Sequence, residues 1–484
     1  MHIANLYPIM KLNHFSLAIF CLLITAVSCK NTSDNQQNTS QSSEQKSKPN
    51  ILVIFADDQG TFDTNAYGSK DLETPNLDRI AHEGTRFTQF YAAAPVCSPS
   101  RASLLTGKYN QHARLFGNVA PPHADPAYKS GLPTEEITMA EVFKADGYET
   151  GLIGKWHLGH SPEKLPNGQG FDYFFGHQRG CIDNYSHFFF WDGPNMHDLY
   201  RNDEEVYYPG QFFGDLMVDE VKKFTAPEKE DPFFVYWAIN MPHYPYQGKP
   251  KWLEHYKDLP SPRREYAAFI STYDEMIGEI LDHLEATGQL DNTIIVYQSD
   301  HGHSTEERAF FGGGNNGPYH GAKFCMLEGG IRVPAMIRYP KAVPANEARN
   351  QMANSIDWLP TLAELTKTTI PNKGDIDGKS LMPIIKDKNA PSQHDVLHWA
   401  TGDPEATTNS WAVRKGDWKL LGNPWDSEKE LEIGEDDKLY LVNMAIDSTE
   451  TTNVAKENPE ILQELLQLHK EWNKEMIELK HQSK

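Results

Sequence analysis

Residues 50–58 read Asn-Ile-Leu-Val-Ile-Phe-Ala-Asp-Asp, an unbroken apolar run that stops at two adjacent carboxylates, Asp57 and Asp58. A run without polar alternation suits a strand buried on both faces, as in a parallel sheet. Three other segments repeat the pattern. Glu149 to His157 ends in Lys155-Trp-His157, Asp231 to His243 ends in His243, and Thr293 to His301 ends in Asp300-His301. Helical stretches lie between them, beginning near Leu77, Ile137 and Tyr266 and closing at glycine. Alternating strand and helix predicts an α/β fold with a large, mostly parallel sheet flanked by helices. In such sheets ligands bind beyond the carboxyl ends of the strands. The charged residues collect there.

Outside this body the texture changes twice. Phe15 to Val27 is apolar for about thirteen residues, too short to span a bilayer but suited to a signal core. It runs into Ala26-Val27-Ser28-Cys29, which resembles the lipobox of bacterial lipoproteins, with translation starting at Met10 as an alternative to Met1. Residues 1–29 are therefore expected to be a signal peptide, with Cys29 lipidated. The protein would be exported and held at the cell envelope by that lipid. Residues 30–48 contain no apolar side chain, so 30–49 is expected to be a flexible tether. Residues 50–385 form the expected catalytic domain. From Lys386 a linker leads to short strands near 410, 417 and 438 and a last helix from Pro459, an α+β subdomain over 386–484.

Lys plus Arg total 45 against 67 Asp plus Glu, a net charge of −22, which excludes a general nucleic-acid binder. Of five cysteines only Cys97, Cys181 and Cys325 fall in the folded body; Cys181 and Cys325 read as free buried thiols, with a disulfide between them as the alternative.

Cys97-Ser-Pro99-Ser-Arg101 is followed by Ala-Ser-Leu-Leu-Thr-Gly. Pro99 suits the first turn of a helix, whose free N–H groups favour an anion. Cys97 and Arg101, one turn apart, can face one pocket. This stretch resembles the sulfatase signature C-x-P-x-R-x-x-x-L-T-G at every fixed position. Gly154-Lys155-Trp-His157, Asn316 to Lys323, Glu328-Gly-Gly-Ile-Arg and Asp357-Trp-Leu-Pro-Thr extend the likeness over nearly the whole chain from Asn50. It implies an alkaline-phosphatase-like fold and a formylglycine nucleophile made from Cys97 by a maturation enzyme.

It also implies roles by position. Asp57, Asp58, Asp300 and Cys97 match the family's metal site. Three carboxylates suit a hard cation, Ca²⁺ before Mg²⁺. His301 stands where relatives often carry Asn, so it either ligates the metal or only lines the site. Arg101 would orient the nucleophile. Lys155 and Lys323 would hold sulfate oxygens. His157 would remove a proton from the nucleophile's second hydroxyl, and His243 would protonate the leaving alcohol. The expected substrate is a sulfated glycan. His177, Arg179 and His320 are candidate contacts to it, Arg179 through a second acidic group; its alternative is an ion pair with Asp183. Trp191, Trp411 and Trp425 would stack on sugars or belong to the core. Two rival readings remain: a phosphonate or phosphate ester hydrolase of the same fold, and a surface lipoprotein that binds glycan without turnover.

Overall fold

Five parallel strands at the centre of the main sheet end side by side. Thr293–Ser299, Asn50–Asp57, Phe233–Pro242, Glu149–Lys155 and Tyr173–His177 are hydrogen-bonded neighbours in that order. Ala56 pairs with Ser299, Asp57 with Pro242, and Ala238 with Gly154. This computed structural model describes residues 48–125, 127–190, 195–434 and 436–482. The expected leader, Cys29, nearly all of the tether and Trp191 lie outside the described residues.

The apolar runs build two cores because a strand aims alternate side chains at opposite faces. Leu52, Ile54, Val235 and Trp237 pack under Pro75–Glu83, Phe213–Phe224 and Arg263–Ala286. Ile51, Val53, Phe55, Phe234 and Tyr236 pack under Cys97–Thr106, Met139–Ala145 and Trp358–Thr366. Burying each large apolar side chain contributes about 1.5–3 kcal/mol. Met139–Ala145 starts at a capping box, with Thr138 Oγ1 accepting from Glu141 N and Glu141 Oε2 accepting from Thr138 N.

Shorter strands extend both edges to ten, in the order 347–349, 85–87, 335–338, the five central strands, 200–201, 204–205. Ala335–Arg338 runs antiparallel to both its neighbours, and the far edge is an antiparallel hairpin, so the sheet is parallel in the middle and mixed outside. Gly154 has φ +116°, and a Cβ on it would stand 2.0 Å from Ala238 O. Only glycine lets these strands approach so closely just before Lys155.

Beyond residue 386, Val396–Ala400, Trp411–Lys415, Trp418–Gly422 and Leu439–Asn443 form a separate antiparallel sheet, covered by the helix Pro459–Gln482. The first of these strands was not read from the sequence; its period-two burial is hidden in a segment framed by linker residues. The sheet is joined to the main body through buried charge. Lys419 Nζ lies 2.9 Å from Glu328 Oε1 and 2.7 Å from Glu450 Oε1, and Tyr91 Oη donates to Glu328 Oε2 at 2.8 Å. The Glu328-Gly-Gly segment thus serves assembly. Among the described residues no helix is long and apolar enough to cross a membrane. Cys97, Cys181 and Cys325 are free and buried.

Candidate active site

Cys97 opens a ten-residue helix in which every residue is buried. Its cap residue, Val96, supplies no side-chain acceptor, so other groups satisfy the first turn: Ser98 N donates to Asn118 Oδ1 at 3.0 Å. Ser100 Oγ donates to Asp300 O at 2.6 Å, tying the helix to the end of the neighbouring strand.

The strand ends converge on Cys97. Its Sγ lies 3.7 Å from Asp57 Oδ1 and 3.3 Å from His301 Nε2. Lys155 Nζ donates to Asp57 Oδ2 at 2.6 Å. Arg101, wholly buried, reaches Asp57 at 3.4 Å and Asp300 at 3.3 Å through Nη2. Lys323 Nζ sits 2.9 Å from Asp58 Oδ1, and His243 Nε2 lies 3.7 Å from Asp58 Oδ2. All the expected catalytic and metal-site residues are brought together.

Two overlapping donor groups are compact enough for a cation: Asp57, Cys97, Asp300 and His301, and Asp58, Cys97 and His243. The electrostatics fit one. Burial pushes Asp58 up to about 8 and Asp300 up to about 7, although Lys323 and His301 respectively pull them back down. Burial works against a charged Asp57, but Lys155 and Arg101 outweigh it and hold the group well below its ordinary value, so ionising Asp58 and Asp300 beside it calls for further positive charge. Burial works against a charged His301, but Asp300, Cys97 and Asp58 outweigh it and lift the ring to about 9. Burial also raises the Cys97 thiol, yet Lys155 and Lys323 bring it down to about 6.

The two other histidines stay neutral. Burial, with Lys155 and Arg101, holds His157 well below its ordinary value; burial and Lys323 do the same for His243. His243 Nδ1 pairs with Tyr244 O at 2.8 Å, leaving Nε2 toward Asp58. His157 has φ 57° and a buried Nδ1 without a hydrogen-bond partner among the described residues. Its ring rests on Gly180, where a Cβ would stand 3.1 Å from Cε1.

A pocket of about 260 Å³ opens over Cys97, His157, His243 and Lys323. Its wall includes Arg179, which is 6% exposed. The partner of Arg179 is Asp198, at 2.9 Å, and not Asp183. Asp183 instead accepts from Tyr185 N, Ser186 N and Gln247 Nε2. Arg179 Nε has no hydrogen-bond partner among the described residues. His177 and His320 are not part of the pocket wall. His177 is fully buried, paired with Arg179 O at 2.9 Å and packed on Phe213; His320 is half-buried, its carbonyl accepting from Gly329 N. Trp411 stacks on His469 at 3.6 Å, and Trp425, 43% exposed, lies in a groove of the C-terminal sheet. Sequence reading missed Glu306 and His160, both on the wall. Each follows a strand-end residue already singled out, Asp300 and His157, and that proximity was the available signal.

A pocket at the ends of parallel strands, with lysines and an arginine set against carboxylates beside a helix-start cysteine, defines a hydrolase for anionic esters. Comparison with known proteins narrows the class. The Sulfatase family profile matches residues 49–368, and the profile for N-sulphoglucosamine sulphohydrolase, C-terminal, matches 317–480. The chain belongs to the sulfatase family, hydrolases of sulfate esters. It is similar to arylsulfatase J of Mus musculus, with 30% identity over 90% of this chain and 78% of that protein. It is similar to an N-acetylgalactosamine-6-O-sulfatase of Bacteroides thetaiotaomicron, with 29% identity over 92% and 96%. A crystal structure of Ps i-CgsB in complex with k-i-k-neocarrahexaose superposes with TM-score 0.77 and 29% identity, covering 88% and 93% of the two chains.

Proposed function

We propose that the protein removes sulfate from a sulfated poly- or oligosaccharide, using a formylglycine made from Cys97 and one divalent cation, Ca²⁺ before Mg²⁺. The observation that carries this reading is the convergence of Cys97 with three buried carboxylates and two buried lysines. A carbohydrate substrate is supported by the N-acetylgalactosamine-6-O-sulfatase and by the neocarrahexaose-bound structure.

Asp57, Asp58, Asp300 and His301 would hold the cation, which supplies Lewis acidity toward sulfate oxygens. Formylglycine supplies a hydrated aldehyde, whose hydroxyl is the nucleophile. The chain's own residues do the rest. Lys155 and Lys323, both buried, neutralise the sulfuryl oxygens. Arg101 holds Asp57 and Asp300 in place. His157, neutral and with a vacant nitrogen, takes the proton whose loss releases sulfate. His243 gives a proton to the leaving alcohol, its basicity raised as the sulfate anion enters beside it. Arg179 lies on the wall for a second acidic group of the glycan. The maturation enzyme is the expected protein partner, and the apolar run 15–27 with Ala26-Val27-Ser28-Cys29 supports export with lipid attachment at Cys29.

The test is mass spectrometry of the Cys97 peptide after expression with a maturation enzyme, beside sulfate release by wild type and Cys97→Ala. Aldehyde formation, with turnover lost in the variant, is expected. Faster turnover of the phosphate than the sulfate ester of one alcohol would favour the phosphohydrolase reading. An unmodified thiol in protein that binds sulfated oligosaccharide would favour the binding lipoprotein.

A further inference from the structure

Phe310 and Phe311 are adjacent, 63% and 74% exposed, and both left-handed, with φ 53° and 64°. Bulky side chains rarely adopt positive φ, and two in succession persist only where surrounding bonds hold them. Those bonds lead to the pocket. The carbonyl of Glu306, a wall residue, accepts from Ala309 N at 2.9 Å and Phe311 N at 3.0 Å. The Glu306 side chain is itself tied down, Oε2 accepting from Ser304 Oγ at 3.0 Å and Tyr244 Oη at 3.3 Å, with Lys323 Nζ at 3.6 Å. The loop then closes on itself. Gly312 N donates to Ala309 O at 3.0 Å, and a Cβ on Gly312 would stand 3.4 Å from Ser304 O. The aromatic pair is thus a braced projection, one hydrogen-bonded turn from the pocket wall.

We propose that Phe310 and Phe311 form a distal sugar subsite, on which the ring next to the sulfated one lays its apolar C–H face. The reading rests on the carbohydrate substrate proposed above. Equatorial hydroxyls leave the faces of a pyranose ring apolar, and an exposed aromatic face complements them. The contact is uncharged, so it adds attraction for a sulfated chain without opposing the protein's net charge of −22. Aromatic contacts of this kind also hold a sugar without fixing its substituents. The subsite therefore reads chain length, and the pocket reads the sulfate.

The experiment compares kcat/KM for a sulfated monosaccharide with that for the tetrasaccharide carrying the same sulfated residue, in wild type and in the double variant Phe310→Ala, Phe311→Ala. Matching thermal midpoints check the fold; Phe311→Trp should keep the effect. Wild type should gain about tenfold or more with chain length, and the double variant should keep less than about a third of that gain. An undiminished gain in the variant overturns the subsite, as does the absence of any gain in wild type. So does an unchanged gain accompanied by lost self-association or lost binding to anionic vesicles, which would assign the pair to another partner. Hydrolysis of an aryl sulfate without hydrolysis of any sulfated sugar would instead overturn the carbohydrate reading beneath it.

Discussion

His301 Nε2 stands 3.3 Å from Cys97 Sγ, across 204 residues of chain. The ring is held by its other nitrogen, Nδ1, which pairs with Gly302 O at 2.9 Å. With Nδ1–H donating to that carbonyl, Nε2 faces Cys97 and Asp300 Oδ2, 3.4 Å away; these anions favour a proton on Nε2, and a bound cation would take that proton's place. Metal-binding histidines are held this way, with the far nitrogen on a backbone carbonyl. His301 is therefore compatible with a cation site.

Removal of divalent cations should abolish sulfate release, and Ca²⁺ should restore it at lower concentration than Mg²⁺. Bound cation should raise the thermal midpoint, because it relieves repulsion among Asp57, Asp58 and Asp300. His301→Ala should weaken cation affinity by about tenfold or more, read as a shift in the Ca²⁺ concentration that gives half the midpoint increase. A chelated protein with full activity would sink the metal reading.

Gly180→Ala should cut kcat by roughly 10- to 100-fold while leaving the fold intact. A Cβ there would stand 3.1 Å from His157 Cε1 and 3.2 Å from Nε2, so the ring must give by a few tenths of an ångström. Steady-state kinetics with a matched thermal midpoint check it. Unchanged kcat would show that the position of His157 does not govern turnover.

Lys419→Met should destabilise the protein by about 3–5 kcal/mol, because it strands buried carboxylates. Glu328 and Glu450 lie 2.9 Å and 2.7 Å from the ammonium, and all three side chains are fully buried. Urea unfolding measures the loss. Intact stability would mean that the C-terminal sheet is held by its apolar contacts alone.

The stability given by His112 should fade as the medium becomes alkaline. Burial lowers its pKa, but Asp377 at 2.7 Å and then Glu475 at 3.6 Å leave it above 6.5. A raised folded pKa stabilises fully below the unfolded value and is lost as pH rises through the folded one. His112→Gln should therefore cost most near pH 5.5 and least near about pH 9. Denaturant midpoints across that span check it, and a pH-independent difference would contradict the ion pair.

The strands were legible because their doubly buried runs carry their own signal, and the site because its charged residues sit where each run stops. Edge strands of two or three residues, such as Thr85–Phe87, hold no such pattern. Val396–Ala400 alternates, but linker residues frame it.

What the sequence by itself determined was local: which segments are strands, which helix begins at Cys97, and which ionisable residues end each run. Composition and periodicity suffice there because each element's pattern is written within a few residues. Tertiary structure alone decided which ends meet. It set Asp57 opposite Pro242 and Ala56 opposite Ser299, and it gave Arg179 to Asp198, although Asp183 is nearer in sequence. It also turned His177 into the core and braced Phe310 and Phe311 outward from Glu306. Those outcomes rest on pairings between distant segments, whose energies depend on burial and packing created only when the whole sheet assembles.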